Sequence, residues 1–302
     1  MKKSILCCLL FFTMLLSPGY GYPDLGSDPF FQGRVIEKLS FPSRILSKDI
    51  NYSIYLPPDY DRSNRRYPVV FLLHGYTDDD TAWIQFGEVH LTADKGIAIR
   101  EIPPLIIVMP DAGVTWYIND QKNEYPYEDM FINELIPFID ATYRTRPERE
   151  FRGISGLSMG GYGSLGYAMR HPDLFSACAA FSSGIMTDET LVATEDRSYN
   201  RMFAPLFGEN LKGKERLTSH WKKNNPLDLA KTLDEKILKR IQWYIDCGDD
   251  DFLYKGNATL HIIFRDRKIP HEYRVRDGEH SWIYWRTGIY DGLKFIGNQF
   301  HR

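Results

Sequence analysis

Residues 151–163 read FRGISGLSMGGYG, and this stretch carries the strongest local signal in the chain. Residues 151–156 have the pattern of a buried strand, and a helical run follows Ser158 as far as His171 and Pro172. A serine in a G-x-S-x-G sequence between a strand and a helix is typical of a nucleophile elbow, in which the flanking glycines let the backbone turn sharply. The pattern therefore predicts that Ser158 is a catalytic nucleophile lifted above the edge of a sheet.

Short apolar runs alternate with helical patterns on both sides of this stretch. The further runs that predict strands are residues 50–56, 67–73, 105–109, 177–181, 241–245 and 273–275. Such alternation predicts an α/β protein with a mostly parallel sheet and helices on both faces. Residues 185–240 are polar and interrupted, and we interpret them as an irregular insertion above the sheet rather than a second domain.

Residues 1–21 differ from the rest of the chain. Lys2 and Lys3 precede an apolar run over residues 5–16, and the small-residue segment SPGYG follows at 17–21. This order is typical of a Sec-type signal peptide, because the apolar run is shorter than the roughly 20 residues that span a bilayer. We expect residues 22–302 to form a single secreted or periplasmic domain without stable membrane insertion; an uncleaved anchor is the alternative.

The charges and cysteines exclude some classes of protein. The 302 residues hold 37 Lys and Arg against 40 Asp and Glu, so no broad positive field is available for nucleic acid. Cys178 and Cys247 lie at opposite ends of their apolar runs. In neighbouring parallel strands this offset exceeds the ~7 Å that a disulfide allows between Cα atoms. Both are predicted to be free, buried thiols.

A serine nucleophile needs a general base, and the base needs an orienting carboxylate. Behind a nucleophile elbow the order along the chain is Ser, acid, His. His280 follows the strand at 273–275, so it is expected at the carboxyl edge of the sheet, where ligands gather in open α/β folds. The acid candidates follow the preceding strand at Asp249, Asp250 and Asp251, and the pattern leaves the choice open. A calcium site is a weak alternative for these three, since EF-hand spacing is absent.

The developing oxyanion of an acyl-transfer site needs hydrogen-bond donors. The N–H of Met159, directly after the nucleophile, is predicted to supply one. The turn after the strand at 67–73 is predicted to supply the other, from Tyr76 in the sequence FLLHGY. His74 in that turn is expected to shape it rather than to act as the base. No metal or organic cofactor is expected.

Three aromatic residues are candidates for substrate binding. Trp116 and Tyr117 lie in a predicted loop, and Trp285 follows His280. Flat rings stack well on sugars and phenolic acyl groups, and loops at this edge commonly hold binding residues. For Trp285, packing of a helix on the sheet is an equally good interpretation.

The chain resembles the esterase D-like group of α/β-hydrolases, and in particular the feruloyl and acetyl xylan esterases of carbohydrate esterase family one. The segments that carry the resemblance are SIYLPP at 53–58, FLLHG at 71–75, ELIP at 134–137, GLSMGGYG at 156–163 and DCG at 246–248. It implies the α/β-hydrolase fold from about residue 50 to about residue 295. In feruloyl esterases of this group the acid lies three residues after the glycine of the Cys-Gly pair, which here is Asp251. The resemblance also implies His280 as base, with Tyr76 and Met159 as oxyanion donors.

The expected function is that of a secreted serine carboxylesterase. The resemblance implies that Ser158, His280 and Asp251 hydrolyse feruloyl or acetyl esters, on xylan-type polysaccharide, through an acyl-enzyme. Export argues against a glutathione-thioester substrate, which belongs to the cytosol. The open alternatives are a general short-chain carboxylesterase, an acyltransferase to a sugar hydroxyl, and a noncatalytic carbohydrate-binding protein.

Overall fold

The computed structural model describes residues 32–300, which build an eight-stranded sheet between layers of helices. Its strands are β1 (Arg34–Ser43), β2 (Lys48–Leu56), β3 (Val69–Leu73), β4 (Ile106–Pro110), β5 (Arg152–Leu157), β6 (Ala177–Phe181), β7 (Gln242–Asp246) and β8 (His271–Arg274). Their order is β1-β2-β4-β3-β5-β6-β7-β8. β2 is antiparallel to β1 and β4, whereas all pairs from β4 across to β8 are parallel. The predicted mostly parallel sheet is confirmed. The predicted signal peptide, residues 1–21, lies outside the described residues.

Helices cover the two faces of the sheet because side chains alternate along each strand. On β3, Val69 and Phe71 pack toward one helical layer, and Val70 and Leu72 toward the other. The helices are α1 (Ala82–Gln85), α2 (Val89–Ala98), α3 (Tyr127–Met130), α4 (Ile136–Thr142), α5 (Met159–Arg170), α6 (Asp188–Ala193), α7 (Asp196–Met202), α8 (Ala204–Phe207), α9 (Ser219–Asn224), α10 (Pro226–Thr232), α11 (Glu235–Leu238), α12 (Tyr254–Asp266) and α13 (Trp282–Gln299), with a π-helical turn Phe131–Leu135 joining α3 to α4. Among residues 32–300, no helix is both long and apolar enough to cross a membrane.

Strand β1 is absent from the sequence-based prediction. It is an edge strand with mostly exposed or half-buried side chains, and its register with β2 shifts between Ile36 and Leu39. Lys38 within this bulge has a φ of 55°, and its N–H is bonded to side chains instead of to the strand ladder. A bulge breaks the two-residue alternation that identifies a strand, so the sequence gives only a weak signal here.

The insertion between β6 and β7 is helical. Residues 185–240 hold the short helices α6 to α11, so the prediction of an irregular segment is wrong. The longest of these helices have seven residues, which is too short for a clear helical repeat in the sequence. The buried guanidinium of Arg216 binds the carbonyl of Leu191 and the carboxylate of Asp196, which ties α6 and α7 together.

A buried ion pair joins α3 to α5. Both oxygens of Glu128 accept hydrogen bonds from Arg170, at 2.8 and 2.7 Å, and the imidazole of His171 lies 2.8 Å from Oε1. Burial alone would raise the pKa of Glu128, but the attraction of Arg170 and the bonds to both partners outweigh it and lower the pKa to about 2. The carboxylate therefore stays ionised at neutral pH.

The two cysteines of the described region are buried and unpaired, as predicted. Cys178 on β6 lies opposite Trp243, whereas Cys247 follows Asp246, which lies opposite Phe181. The two thiols are therefore four residues out of register, or about 13 Å along the strands, and no disulfide can form between them.

Candidate active site

Ser158 occupies a strained turn between β5 and α5. Its φ of 52° and ψ of −117° are rare for a residue with a side chain and cost about 1–3 kcal/mol. Its N–H donates to the carbonyl of Phe181, and its own carbonyl accepts from Gly184. A Cβ added to Gly160 would lie 2.3 Å from the carbonyl oxygen of Leu73, so only glycine lets α5 approach β3 this closely. These contacts hold the hydroxyl at the carboxyl edge of the sheet.

Three side chains from three separate loops form a continuous chain of hydrogen bonds. His280 Nε2 lies 3.0 Å from Ser158 Oγ, and His280 Nδ1 lies 2.8 Å from Asp251 Oδ2. The ionised carboxylate can only accept a hydrogen bond, so His280 carries its proton on Nδ1. Its Nε2 is then free to accept the hydroxyl proton of Ser158. This is the geometry that a general base requires.

Asp251 is held ionised by donors on several sides. Its side chain is fully buried, and Oδ1 accepts a hydrogen bond of 2.8 Å from the N–H of Leu253. Burial raises the pKa of Asp251, but the hydrogen bond and charge of His280, together with bonds from Leu253 and Ser182, outweigh it and lower the pKa below its ordinary value. A buried negative charge therefore faces the imidazole.

The neighbouring acids have different surroundings. Asp249, Asp250 and Asp277 are exposed, with carboxylate oxygens within 4.8 Å of one another. Asp249 Oδ1 accepts from the N–H groups of Gly278 and Asp250, so it stabilises the loop. Of the three sequential candidates for the acid, the structure brings Asp251 to His280.

Two backbone N–H groups lie beside Ser158. Met159 is the first residue of α5, where helical N–H groups have no acceptor within the helix. Tyr76 follows Gly75, and a Cβ added to Gly75 would lie 3.8 Å from that of Ser158. Among the hydrogen bonds of residues 32–300, none uses the N–H of Tyr76 or Met159. Both predicted oxyanion donors are therefore available next to Ser158.

His74 braces the turn that carries Tyr76. Its Nδ1 lies 2.7 Å from the carbonyl oxygen of Gly75, and its Nε2 accepts a hydrogen bond of 2.9 Å from the N–H of Ala112. The hydroxyl of Tyr117 donates to the carbonyl of His74. The prediction that His74 shapes this turn agrees with these contacts.

The three aromatic candidates are buried, so the prediction that they bind substrate needs correction. The exposed fractions are 4% for Trp116, 0% for Tyr117 and 5% for Trp285. Trp116 and Tyr117 have positive φ values, 53° and 60°, and this turn folds both rings into the core. Trp285 donates from Nε1 to Ser182 and packs edge-on against His280. Their observed contacts support the turn at His74 and the imidazole of His280.

An exposed aromatic residue that was not predicted from the sequence lies beside His280. Phe252 is 72% exposed, and its ring centre is 4.6 Å from that of His280. It is the last ring in a series of successive ring contacts, with neighbouring ring centres 4.6 to 5.7 Å apart. The series is Phe86, Trp282, Trp285, His280 and Phe252. The sequence does place Phe252 directly after the predicted acid, Asp251, and this position could have marked it as a site residue.

Known proteins share this fold and sequence pattern. A family model described as putative esterase matches residues 43–296. An acetyl esterase of Caldicellulosiruptor saccharolyticus is 26% identical over 88% of this chain and 96% of its own length. An endo-1,4-beta-xylanase/feruloyl esterase of Xylanibacter ruminicola is 32% identical over 52% of this chain, which spans only 22% of that relative. The solved structure of a ferulic acid esterase is 31% identical and covers 89% of this chain and 99% of its own, with a TM-score of 0.78.

Proposed function

Because this chain belongs to the putative esterase family and is a carboxylic ester hydrolase of the α/β-hydrolase fold, we propose that it hydrolyses feruloyl or acetyl esters of xylan-type polysaccharide. The hydrogen-bonded chain from Asp251 through His280 to Ser158 is the observation that carries the proposal. The similarity to a ferulic acid esterase over nearly the whole chain supports the feruloyl group, and the acetyl esterase relative supports the acetyl group.

In the first half of the proposed reaction, Ser158 Oγ attacks the ester carbonyl carbon and its proton passes to His280 Nε2. The carbonyl oxygen becomes a negatively charged oxygen, which accepts hydrogen bonds from the N–H groups of Met159 and Tyr76. Asp251 remains ionised and stabilises the positive imidazolium.

To complete this first half, the imidazolium of His280 gives its proton to the oxygen of the leaving alcohol, and the ester C–O bond breaks. The acyl group is then esterified to Ser158. In the second half, a water molecule attacks the carbonyl carbon of this acyl-enzyme and gives one of its protons to His280. That proton then passes to Ser158 Oγ as the bond to the acyl group breaks and the carboxylic acid leaves.

The proposal includes export from the cytosol. Residues 1–21 have the order of charges and apolar residues of a Sec-type signal peptide. A secreted or periplasmic enzyme meets polysaccharide esters directly, which supports the substrate class. N-terminal sequencing of protein recovered after expression with the full chain is expected to begin near Tyr22; an intact N-terminus at Met1 contradicts this part.

The test uses purified residues 22–302 and compares kcat/KM for feruloylated and acetylated xylo-oligosaccharides with that for short-chain alkyl esters. We expect the oligosaccharide esters to be the better substrates. Ser158→Ala and His280→Ala should each lower kcat by several orders of magnitude while circular dichroism shows an unchanged fold. Preference for the alkyl esters would favour a general short-chain esterase, and near-normal turnover by either folded variant would refute the triad.

A further inference from the structure

The position of His280 determines where the leaving alcohol lies. In the proposed reaction the imidazole protonates the leaving oxygen, so that oxygen must approach Nε2. The carbonyl oxygen must face the N–H groups of Met159 and Tyr76 instead. The alcohol part of the ester therefore extends past the His280 side of the site.

Phe252 is an exposed apolar ring on that side. One part of the ring contacts the imidazole of His280, and 72% of the residue is open to solvent. By contrast, the other large ring in contact with His280, Trp285, is buried. An alcohol that covers the exposed part of the ring removes apolar surface from water, and this favours its binding.

Exposed carboxylates lie in the same two loops as Phe252 and His280. Asp249 and Asp250 precede the ring in sequence, and Asp277 precedes the base; their oxygens approach within 4.8 Å. Ionised carboxylates accept hydrogen bonds from hydroxyl groups. An exposed ring in the same loops as several acceptors matches a sugar, which has an apolar C–H face and hydroxyl groups at its edge. The same charges repel an anionic sugar.

We propose that Phe252 is the platform of a leaving-group subsite, on which the neutral sugar that bears the ester stacks. This inference rests on the proposed function, because it takes His280 as the group that protonates the leaving alcohol. It adds the part of the substrate that the enzyme recognises beyond the acyl group, and the residue that recognises it.

The experiment compares pairs of esters that share an acyl group and differ in the alcohol. The pairs are methyl ferulate with a feruloylated arabinoxylan oligosaccharide, and ethyl acetate with an acetylated xylo-oligosaccharide. Nitrophenyl esters are avoided because their leaving group is itself a flat ring. In Phe252→Ala we expect kcat/KM for the sugar ester to fall about five- to tenfold, mostly through KM, and that for the alkyl ester to change less than about twofold.

The paired design separates sugar binding from damage to the base. If Phe252 acts only by supporting His280, both esters of a pair lose activity by the same factor, and the proposal is overturned. It is also overturned if neither ester is affected. Phe252→Tyr retains the ring and should keep the parent's preference for the sugar ester.

Tyr254→Ala is the matched control. Tyr254 is an aromatic residue in the same region of the chain, 50% exposed, and among the described ring contacts none joins it to His280. This variant should retain the parent ratio; a loss equal to that of Phe252→Ala would refute a specific platform. Failure of the proposed function is recognised separately, because the parent would then hydrolyse neither ester or Ser158→Ala would remain active.

Discussion

Replacing Asp251 by Asn should remove the proposed base function of His280 while keeping the shape of the site. Besides the rotatable hydroxyl of Ser182, Asp251 has two donors in fixed directions: Oδ1 faces the N–H of Leu253 and Oδ2 faces Nδ1 of His280, both at 2.8 Å. An amide has one accepting oxygen and one donating nitrogen. The backbone N–H of Leu253 can only donate, so the amide oxygen must face Leu253 and the amide nitrogen must face His280.

The consequence is a change of tautomer. With an N–H group opposite, Nδ1 of His280 has to accept, and the imidazole proton moves to Nε2. Nε2 then faces the hydroxyl of Ser158 as a donor and cannot take its proton. For the equivalent substitution in serine proteases the loss in kcat is about 10⁴, which corresponds to about 5.5 kcal/mol of activation free energy. We expect a similar loss here.

The assay is kcat for methyl ferulate at neutral pH, with Asp249→Asn as the control. Both hydrogen bonds to Asp249 reach Oδ1, so an amide oxygen there preserves them and kcat should stay within about twofold. In proton NMR the Nδ1–H resonance of His280 should be present in the parent and in Asp249→Asn and absent in Asp251→Asn. The argument is refuted if Asp251→Asn keeps more than about a tenth of kcat, or if Asp249→Asn is the more damaged variant.

Further expectations concern packing, acid stability and the thiols. Gly160→Ala places a Cβ 2.3 Å from the carbonyl oxygen of Leu73, so urea unfolding should show a loss of at least about 2 kcal/mol together with lost activity; unchanged stability would contradict the close approach. Glu128 has a pKa of about 2 when folded and about 4.5 when unfolded, so its contribution of about 3 kcal/mol is present above pH 4.5 and is lost as the pH falls toward 2. Glu128→Gln should flatten this part of the pH profile of unfolding free energy, and an equal slope in both proteins argues against it. Alkylation under denaturing, nonreducing conditions should modify both Cys178 and Cys247, whereas two blocked thiols would reveal a disulfide.

The central part of the fold follows from local sequence. The strand and helix around Ser158 are encoded by adjacent residues, and buried parallel strands appear as apolar runs. His280 could be predicted as the base because it follows the end of a predicted strand, and this places it at the carboxyl edge of the sheet. Asp251 could not be chosen from local pattern, since its neighbours have the same charge and only the family resemblance separates them.

The sequence-based predictions of which aromatic residues are exposed fail where burial depends on distant parts of the chain. Trp116 and Tyr117 look like loop residues in sequence, but both have positive φ. Their rings pack against aromatic residues that come much later in the chain, at Tyr162, Tyr167 and Phe203. The reverse holds for Phe252, an apolar residue that stays exposed. Residue type and periodicity predict only the average burial of a side chain. Trp116, Tyr117 and Phe252 depart from that average because the helices and loops packed around them determine their exposure.

His280, the proposed base, follows strand β8 at the margin of the sheet, whereas Ser158, the proposed nucleophile, follows the central strand β5. β8 has four residues, of which three are partly buried and one is exposed, and within the described residues its one strand neighbour is β7. Backbone amides at such margins open in sub-global fluctuations that leave the rest of the protein folded. On warming, His280 should therefore separate from Ser158 before the sheet as a whole melts. Loss of turnover then reports the detachment of one peripheral strand, and amide hydrogen exchange at β8 should run ahead of exchange at β5.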